Sequence, residues 1–290
     1  MEVVTAKTAG FCFGVKRAVE TVYRELGKNG NEPIYTFGPI IHNEQVVLEL
    51  EEMGVKVLDS VEEAQNAEPG TVIIRAHGIP EEIYRILEDA GHIIVDATCP
   101  FVLKIHKAVK EAKKKGDFVV IVGDSDHPEV KGIQSCVKDD SIVIADRKQA
   151  EEFMENEGKK HNNLCVVAQT TFNFNKFQEL VEIFCKNSYH NVSVLNTICN
   201  ATEERQKEAA KIASSVDTMI VIGSRNSSNS QKLYEICRNL CDNTFFIQKT
   251  DDMDFERISS SDRIGITAGA STPNKIIEEV QTLCQNLNSY

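Results

Sequence analysis

The feature that most constrains this chain is an alternation of apolar, β-branched runs with helical segments that repeats three times. Strands are expected at IYTF, VKVL, TVIIRA and HIIVDA in the first third, and at FVVIVG, SIVIA, NLCVVA and NVSVL in the second. The last third supplies TMIVIG, NTFFI and RIGIT. Such alternation is the signature of an α/β fold with parallel sheets. The last third is one strand short, and the missing twelfth stands at the opposite end of the chain, in EVVTA at residues 2–6. The order is therefore circular, with the N-terminal strand completing the last unit.

The strand ends repeat in the same register. Each fourth strand runs into a cysteine and then a helix: Cys12 in TAGFCFGVKRAVE, Cys99 in DATCPFVLKIHKAV and Cys199 in NTICNATEERQKEAA. Each first strand runs into a polar loop that opens a helix, with His42 in GPIIHNEQ, His127 in GDSDHPEV, and Ser227, Ser228 and Asn229 in GSRNSSNS. Each third strand does likewise, with His77 in RAHGIP, Thr170 in AQTTFN and Ser271 in TAGAST. The cysteines lie 87 and 100 residues apart, a period too long for a solenoid repeat. The expectation is three similar parallel-sheet α/β units in pseudo-threefold arrangement around a central cluster. Their boundaries are drawn at 14–98, 99–198, and 199–290 together with the N-terminal segment 1–13. In open parallel sheets ligands bind beyond the carboxyl ends of the strands, and all nine loops sit there.

Composition excludes several functions. The 290 residues carry 32 Lys+Arg against 44 Asp+Glu, a net charge of −12, which argues against non-specific nucleic-acid binding. No apolar run approaches the roughly 18–20 residues of a membrane span. The N-terminus lacks the basic start and apolar core of a signal peptide, so a cytoplasmic location is expected. Nine cysteines, an odd number, then point to metal binding, catalysis or core packing rather than a disulfide framework. No CxxC pair occurs, which removes zinc ribbons, thioredoxin-type motifs and dense ferredoxin runs.

Each of Cys12, Cys99 and Cys199 taken alone reads as a small buried residue at a strand end; the trio in register reads as a ligand set. Three protein ligands leave one coordination position open for substrate, and thiolates without a histidine at the same loop position favour a [4Fe–4S] cluster over zinc. The other six, Cys136, Cys165, Cys185, Cys237, Cys241 and Cys284, are expected to pack. The imidazoles, hydroxyls and amide of His42, His77, His127, Thr170, Ser227, Ser228, Asn229 and Ser271 stand at helix starts. There they serve as caps and equally form an anion cradle, to which protonated histidines would add charge. No GxxxxGK[ST] or GxGxxG motif is present. Glu129 is the one carboxylate embedded in these loops. In an anion-binding pocket it is tolerable only when protonated, which would make it a general acid, with Thr170 relaying or orienting the proton. The lysines of FVLKIHKAVKEAKKKG read as a solvated helix face, or as a docking patch for an acidic electron-transfer protein.

In these motifs the chain resembles the LytB family, the 4-hydroxy-3-methylbut-2-enyl diphosphate reductases that end the non-mevalonate isoprenoid route. AGFCFGVKRAVE, GPIIHN, RAHG, DATCPFV, GDSDHPEV, QTT, NTICNAT, NSSNS and TAGAST occur in the family's order, and the likeness covers essentially the whole chain. The resemblance implies three α/β units around one [4Fe–4S] cluster held by Cys12, Cys99 and Cys199. The substrate's allylic hydroxyl would meet the open iron, and its diphosphate would meet His42, His77, His127, Ser227, Ser228, Asn229 and Ser271. Glu129 matches the proton donor and Thr170 the threonine beside it. Two electrons, supplied by a ferredoxin- or flavodoxin-type donor, and two protons would remove the hydroxyl as water, leaving isopentenyl or dimethylallyl diphosphate. Unlike some members, the chain is expected to carry no further C-terminal domain. A quinolinate-synthase-like cluster dehydratase, a non-enzymatic iron–sulfur redox sensor and a zinc hydrolase are the alternatives.

Overall fold

The computed structural model describes residues 2–28, 30, 32–186, 191–259 and 261–287. The chain opens with β1 (Glu2–Thr5) and α1 (Phe13–Leu26). A first run follows: β2 (Ile34–Phe37), α2 (Glu44–Glu52), β3 (Lys56–Leu58), α3 (Val61–Asn66), β4 (Thr71–Ile74), α4 (Glu81–Asp89), β5 (Ile93–Asp96) and α5 (Pro100–Lys114). The second is β6 (Phe118–Val122), α6 (Pro128–Val137), β7 (Ser141–Ile144), α7 (Arg147–Glu155), β8 (Asn163–Ala168), α8 (Phe174–Lys186), β9 (Asn191–Val194) and α9 (Asn200–Ala213). The third is β10 (Thr218–Ile222), α10 (Ser228–Arg238), β11 (Thr244–Ile247), α11 (Phe255–Ser259), β12 (Arg263–Ala268) and α12 (Asn274–Asn286). All twelve strands expected from sequence are present.

They form three four-stranded sheets of the same order: β3-β2-β4-β5, β7-β6-β8-β9 and β11-β10-β12-β1. Every pairing is parallel, as strand–helix–strand connections require. The circular closure is observed directly, β1 pairing with β12 from Glu2↔Arg263 to Thr5↔Ile266.

Strand chemistry follows from burial on both faces. Val119, Val120, Ile121 and Val122 of β6 are fully buried, each worth about 1.5–3 kcal/mol over exposure. Val120 and Val122 pack under α7 and α8 with Phe153, Phe177 and Leu180; Val119 and Ile121 pack under α5 and α6 with Ile105, Val109 and Ile133. The helix that follows Cys99 therefore covers the next sheet in the chain, not the one it leaves. The same holds after Cys199, where Ala209, Ile212 and Ala213 of α9 pack with Met219 and Val221 of β10. Cys99 and Cys199 thus stand where the chain passes from one sheet to the helical cover of the next.

The chain divides into two compact bodies. One comprises residues 1–16, 42–46 and 199–290, and contains the β11-β10-β12-β1 sheet; the other comprises 17–41 and 47–198, with the remaining two sheets. Among the described residues no helix is long and apolar enough to cross a membrane.

Candidate active site

Cys12, His42, Cys199, Ser227, Ser228, Asn229 and Ser271 belong to the first body; His77, Cys99, His127, Glu129 and Thr170 belong to the second.

In the first body the three loop sets are tied by direct hydrogen bonds. The Cys12 amide donates to the Ala270 carbonyl at 3.2 Å, and the Ala270 amide donates to Asn229 Oδ1 at 3.0 Å. Ser271 Oγ donates to the His42 carbonyl at 2.9 Å, and Asn43 Nδ2 donates back to the Ser271 carbonyl at 2.9 Å. Ser227 caps α10 by accepting from the Ser230 amide. Ser227, Asn229 and Ser271 are buried, and Asn229 Nδ2 is a buried donor with no partner among the described residues. Such a group is costly unless something binds it, so it is a candidate ligand contact. Cys12 and Cys199 are half-buried, lie outside any disulfide and stand next to helix starts. Cys12 Sγ accepts from the Val15 amide at 3.5 Å, and Cys199 Sγ from the Thr202 amide at 3.4 Å.

In the second body Cys99, N-cap of α5, repeats the contact of Cys12: its amide donates to the Ala76 carbonyl at 2.9 Å, next to His77. The rings of His77 and His127 meet edge to face with centroids 5.5 Å apart. His127 caps α6, its Nδ1 accepting from the Glu129 amide at 3.2 Å. That bond uses Nδ1 as an acceptor. Glu129 is 2% exposed. Its Oε1 accepts from the Thr170 amide and its Oε2 from Thr170 Oγ1, both at 2.6 Å. Burial pushes the carboxyl up to about 7, while the two Thr170 donors pull it the other way. The sequence-based expectation of a proton-holding glutamate beside Thr170 thus has a geometric basis. The turn after β6 packs against α6 and the loop after β8 at Gly123, where a Cβ would lie 2.8 Å from Val130 and 3.0 Å from Gln169.

Of the six cysteines expected to pack, Cys165, Cys237, Cys241 and Cys284 are buried and Cys136 is half-buried. Cys185 is exposed, which corrects that expectation. Phe177, Leu180 and Phe184 occupy the buried stripe of α8, and the residue after Phe184 turns about 100° away from it. The lysine run lies on α5 as expected, but Lys110 pairs with Glu81 at 2.7 Å and Lys113 with Asp140 at 2.8 Å. Lys104, Lys107, Lys114 and Lys115 are exposed. Asn43 escaped notice although it lies in the GPIIHN motif; its position one residue before α2 was the available signal.

An α/β protein with three parallel sheets of one strand order, whose strand-end loops carry cysteines, imidazoles, short hydroxyls and a buried carboxyl, has the make-up of an enzyme. The LytB protein family model matches residues 3–285, and the chain belongs to that family. It is 45% identical over 282 residues to the 4-hydroxy-3-methylbut-2-enyl diphosphate reductase of Caldanaerobacter subterraneus subsp. tengcongensis, covering 97% of this chain and 95% of that one. The enzyme of the same name from Clostridioides difficile is 43% identical over 287 residues, 99% and 100% of the two chains. A solved (E)-4-hydroxy-3-methyl-but-2-enyl diphosphate reductase superposes with TM-score 0.71 at 41% identity, covering 99% of this chain and 100% of that one. The Plasmodium falciparum reductase superposes with TM-score 0.89 at 29% identity, covering 97% and 87%.

Proposed function

We infer that this chain is a 4-hydroxy-3-methylbut-2-enyl diphosphate reductase, catalysing the last step of the non-mevalonate isoprenoid route. The observation that carries the reading, beyond family membership, is the buried Glu129 carboxyl held by Thr170 with its proton near neutrality. LytB-family reductases use an iron–sulfur cluster. Cys12, Cys99 and Cys199 suit it as ligands, being cysteines outside any disulfide at equivalent strand ends, and we assign them one [4Fe–4S] cluster with one iron left open. When bound, the cluster supplies electrons and a Lewis-acidic iron for the substrate's allylic hydroxyl.

The chain's own groups do the rest. His42, His77, His127, Ser227, Ser228, Asn229 and Ser271 hold the diphosphate, the Asn229 Nδ2 and His127 Nε2–H as donors. Glu129 delivers a proton to the departing hydroxyl, which makes water the leaving group, and Thr170 fixes the carboxyl's orientation. In balance, substrate plus two electrons and two protons gives water and isopentenyl or dimethylallyl diphosphate. An acidic ferredoxin- or flavodoxin-type donor suits the exposed Lys104, Lys107, Lys114 and Lys115. Nine cysteines outside any disulfide suit a reducing, cytoplasmic compartment.

The test is oxidation of reduced methyl viologen by anaerobically reconstituted protein, with and without 4-hydroxy-3-methylbut-2-enyl diphosphate, counting iron and sulfide on the same sample. Substrate-dependent oxidation with about four irons per chain is expected. A full cluster without turnover overturns the substrate assignment and returns it to a quinolinate-synthase-like dehydratase or a sensor. A colourless, zinc-containing protein overturns the cluster.

A further inference from the structure

A buried arginine on the helix capped by Cys199 holds the loop that leads to Cys12. Arg205 lies on α9, the helix that Cys199 caps, and is 3% exposed. Its Nε donates to the Thr8 carbonyl at 2.9 Å and its Nη2 to the carbonyls of both Thr8 and, at 2.7 Å, Gly10. One turn further along α9, Glu208 accepts from the amides of Lys7 and Thr8 and from Thr8 Oγ1, at 3.0, 2.8 and 2.6 Å. The loop from β1 to Cys12 is thus gripped by two side chains of one helix. Gly10, two residues before Cys12, sits at φ +97°, where its carbonyl turns to the guanidinium.

The charge needs an explanation. Burial pushes the guanidinium down from its ordinary value, and the side chains of Cys12, Cys199 and Glu208 push it back up. A buried cation is retained only where negative charge faces it. Its Nη1 is buried with no partner among the described residues, although its other two nitrogens are fully engaged. Hydrogen bonds and positive charge near cluster sulfurs stabilise the reduced state, because reduction adds negative charge.

We propose that Arg205 is a positioning residue for the cluster: it locks the Cys12 loop to the helix capped by Cys199, and its fixed charge at that junction raises the reduction potential of the group the two cysteines bind. The proposal rests on the assignment of Cys12 and Cys199 as ligands made above. It concerns the potential and not substrate, so its failure is separable from failure of that assignment.

The experiment is a redox titration, followed by electron paramagnetic resonance, of the reconstituted full chain and of Arg205→Gln, Arg205→Lys and Glu208→Gln, with iron counted on each. Arg205→Gln should lower the reduced-to-oxidised ratio at fixed potential at least tenfold, equivalent to about 59 mV for one electron. Arg205→Lys should stay within threefold of the parent. Glu208→Gln removes the opposing negative charge and should shift the ratio the other way, a reversal that mere loosening of the loop would not produce. If Arg205→Gln does not fold or hold iron, the sign of the Glu208→Gln shift decides alone. An unchanged potential in Arg205→Gln with full iron, or a Glu208→Gln potential that is unchanged or lowered, overturns the proposal. A parent chain that takes up no iron overturns the ligand assignment and this inference with it.

Discussion

Replacing Glu129 by glutamine should stabilise the chain at alkaline pH and leave it nearly unchanged at acid pH. The carboxyl rises from its ordinary 4.5 to about 7 because it is buried. A carboxyl whose pKa is higher folded than unfolded contributes stability that is full below 4.5 and is lost as pH climbs through about 7. At about 1.4 kcal/mol per pH unit, the loss by pH 8.5 is about 3 kcal/mol, of which about 2–3 falls between pH 5 and 8.5. Glutamine has no proton to lose. Its Oε1 can take the Thr170 amide and its Nε2 can donate to Thr170 Oγ1, which rotates to accept, so both bonds of the parent geometry keep a partner. The Glu129→Gln minus parent difference in unfolding free energy should therefore be about 2–3 kcal/mol more favourable at pH 8.5 than at pH 5. For a chain of this length that is a melting shift of about 5 °C. Iron-free protein is melted at both pH values by circular dichroism, and taking the double difference cancels every other carboxylate. In the same variant turnover should fall by about 100-fold or more, the contribution of a general acid. An equal melting shift at pH 5 and 8.5 would refute the argument, because Glu129 would then titrate as an ordinary exposed carboxylate.

Three further outcomes are expected. Serine at Cys12, Cys99 or Cys199 should abolish iron binding, whereas Cys284→Ser should keep full iron and lose about 1–3 kcal/mol in urea unfolding, since it buries a hydroxyl among apolar neighbours. Gly123→Ala should cost about 1–3 kcal/mol and depress turnover together, as the new methyl presses on Val130 beside Glu129 and on Gln169. Asn43→Ala removes both the tether to the Ser271 carbonyl and the bond to the Val46 amide at the start of α2; KM for the diphosphate should rise, with iron content unchanged.

What could be read in the sequence was whatever has a period or a fixed place in a repeat. Two-sided burial turns strands into the continuous apolar runs that locate FVVIV and TMIVI, and the shortfall of one strand in the last third locates β1. The cysteines were legible because each falls at the same step of the same repeat. The grip of Arg205 and Glu208 was not legible: both acceptors of Arg205 are backbone carbonyls, which leave no trace in residue identity, and charged residues on a helix otherwise read as a solvated face. Asn229 illustrates the same limit, since its oxygen is held by the Ala270 amide. Cys185 was expected to pack and is exposed because it falls one position past Phe184, off the buried stripe of α8.

Equivalent positions in the sheets show how one scaffold yields two chemistries. His127-Pro128-Glu129 begins α6 as Ser227-Ser228-Asn229 begins α10, with the same N-cap offset in both. Thr170 stands two residues beyond β8 and Ala270 two residues beyond β12. Glu129 Oε1 accepts from the Thr170 amide at 2.6 Å, and Asn229 Oδ1 accepts from the Ala270 amide at 3.0 Å, so the bond is the same one made twice. What differs is the second atom of each side chain. Asparagine presents a buried N–H that lacks a partner among the described residues, which suits an anion; glutamate presents an oxygen that Thr170 Oγ1 engages, which suits a proton in transit. Helix N-termini favour negative charge at both places, yet at Glu129 burial outweighs that bias and keeps the proton near neutrality. The repeat supplies the geometry, and an amide at one repeat position against an acid at its equivalent sets apart a buried N–H donor from a carboxyl that keeps its proton near neutrality.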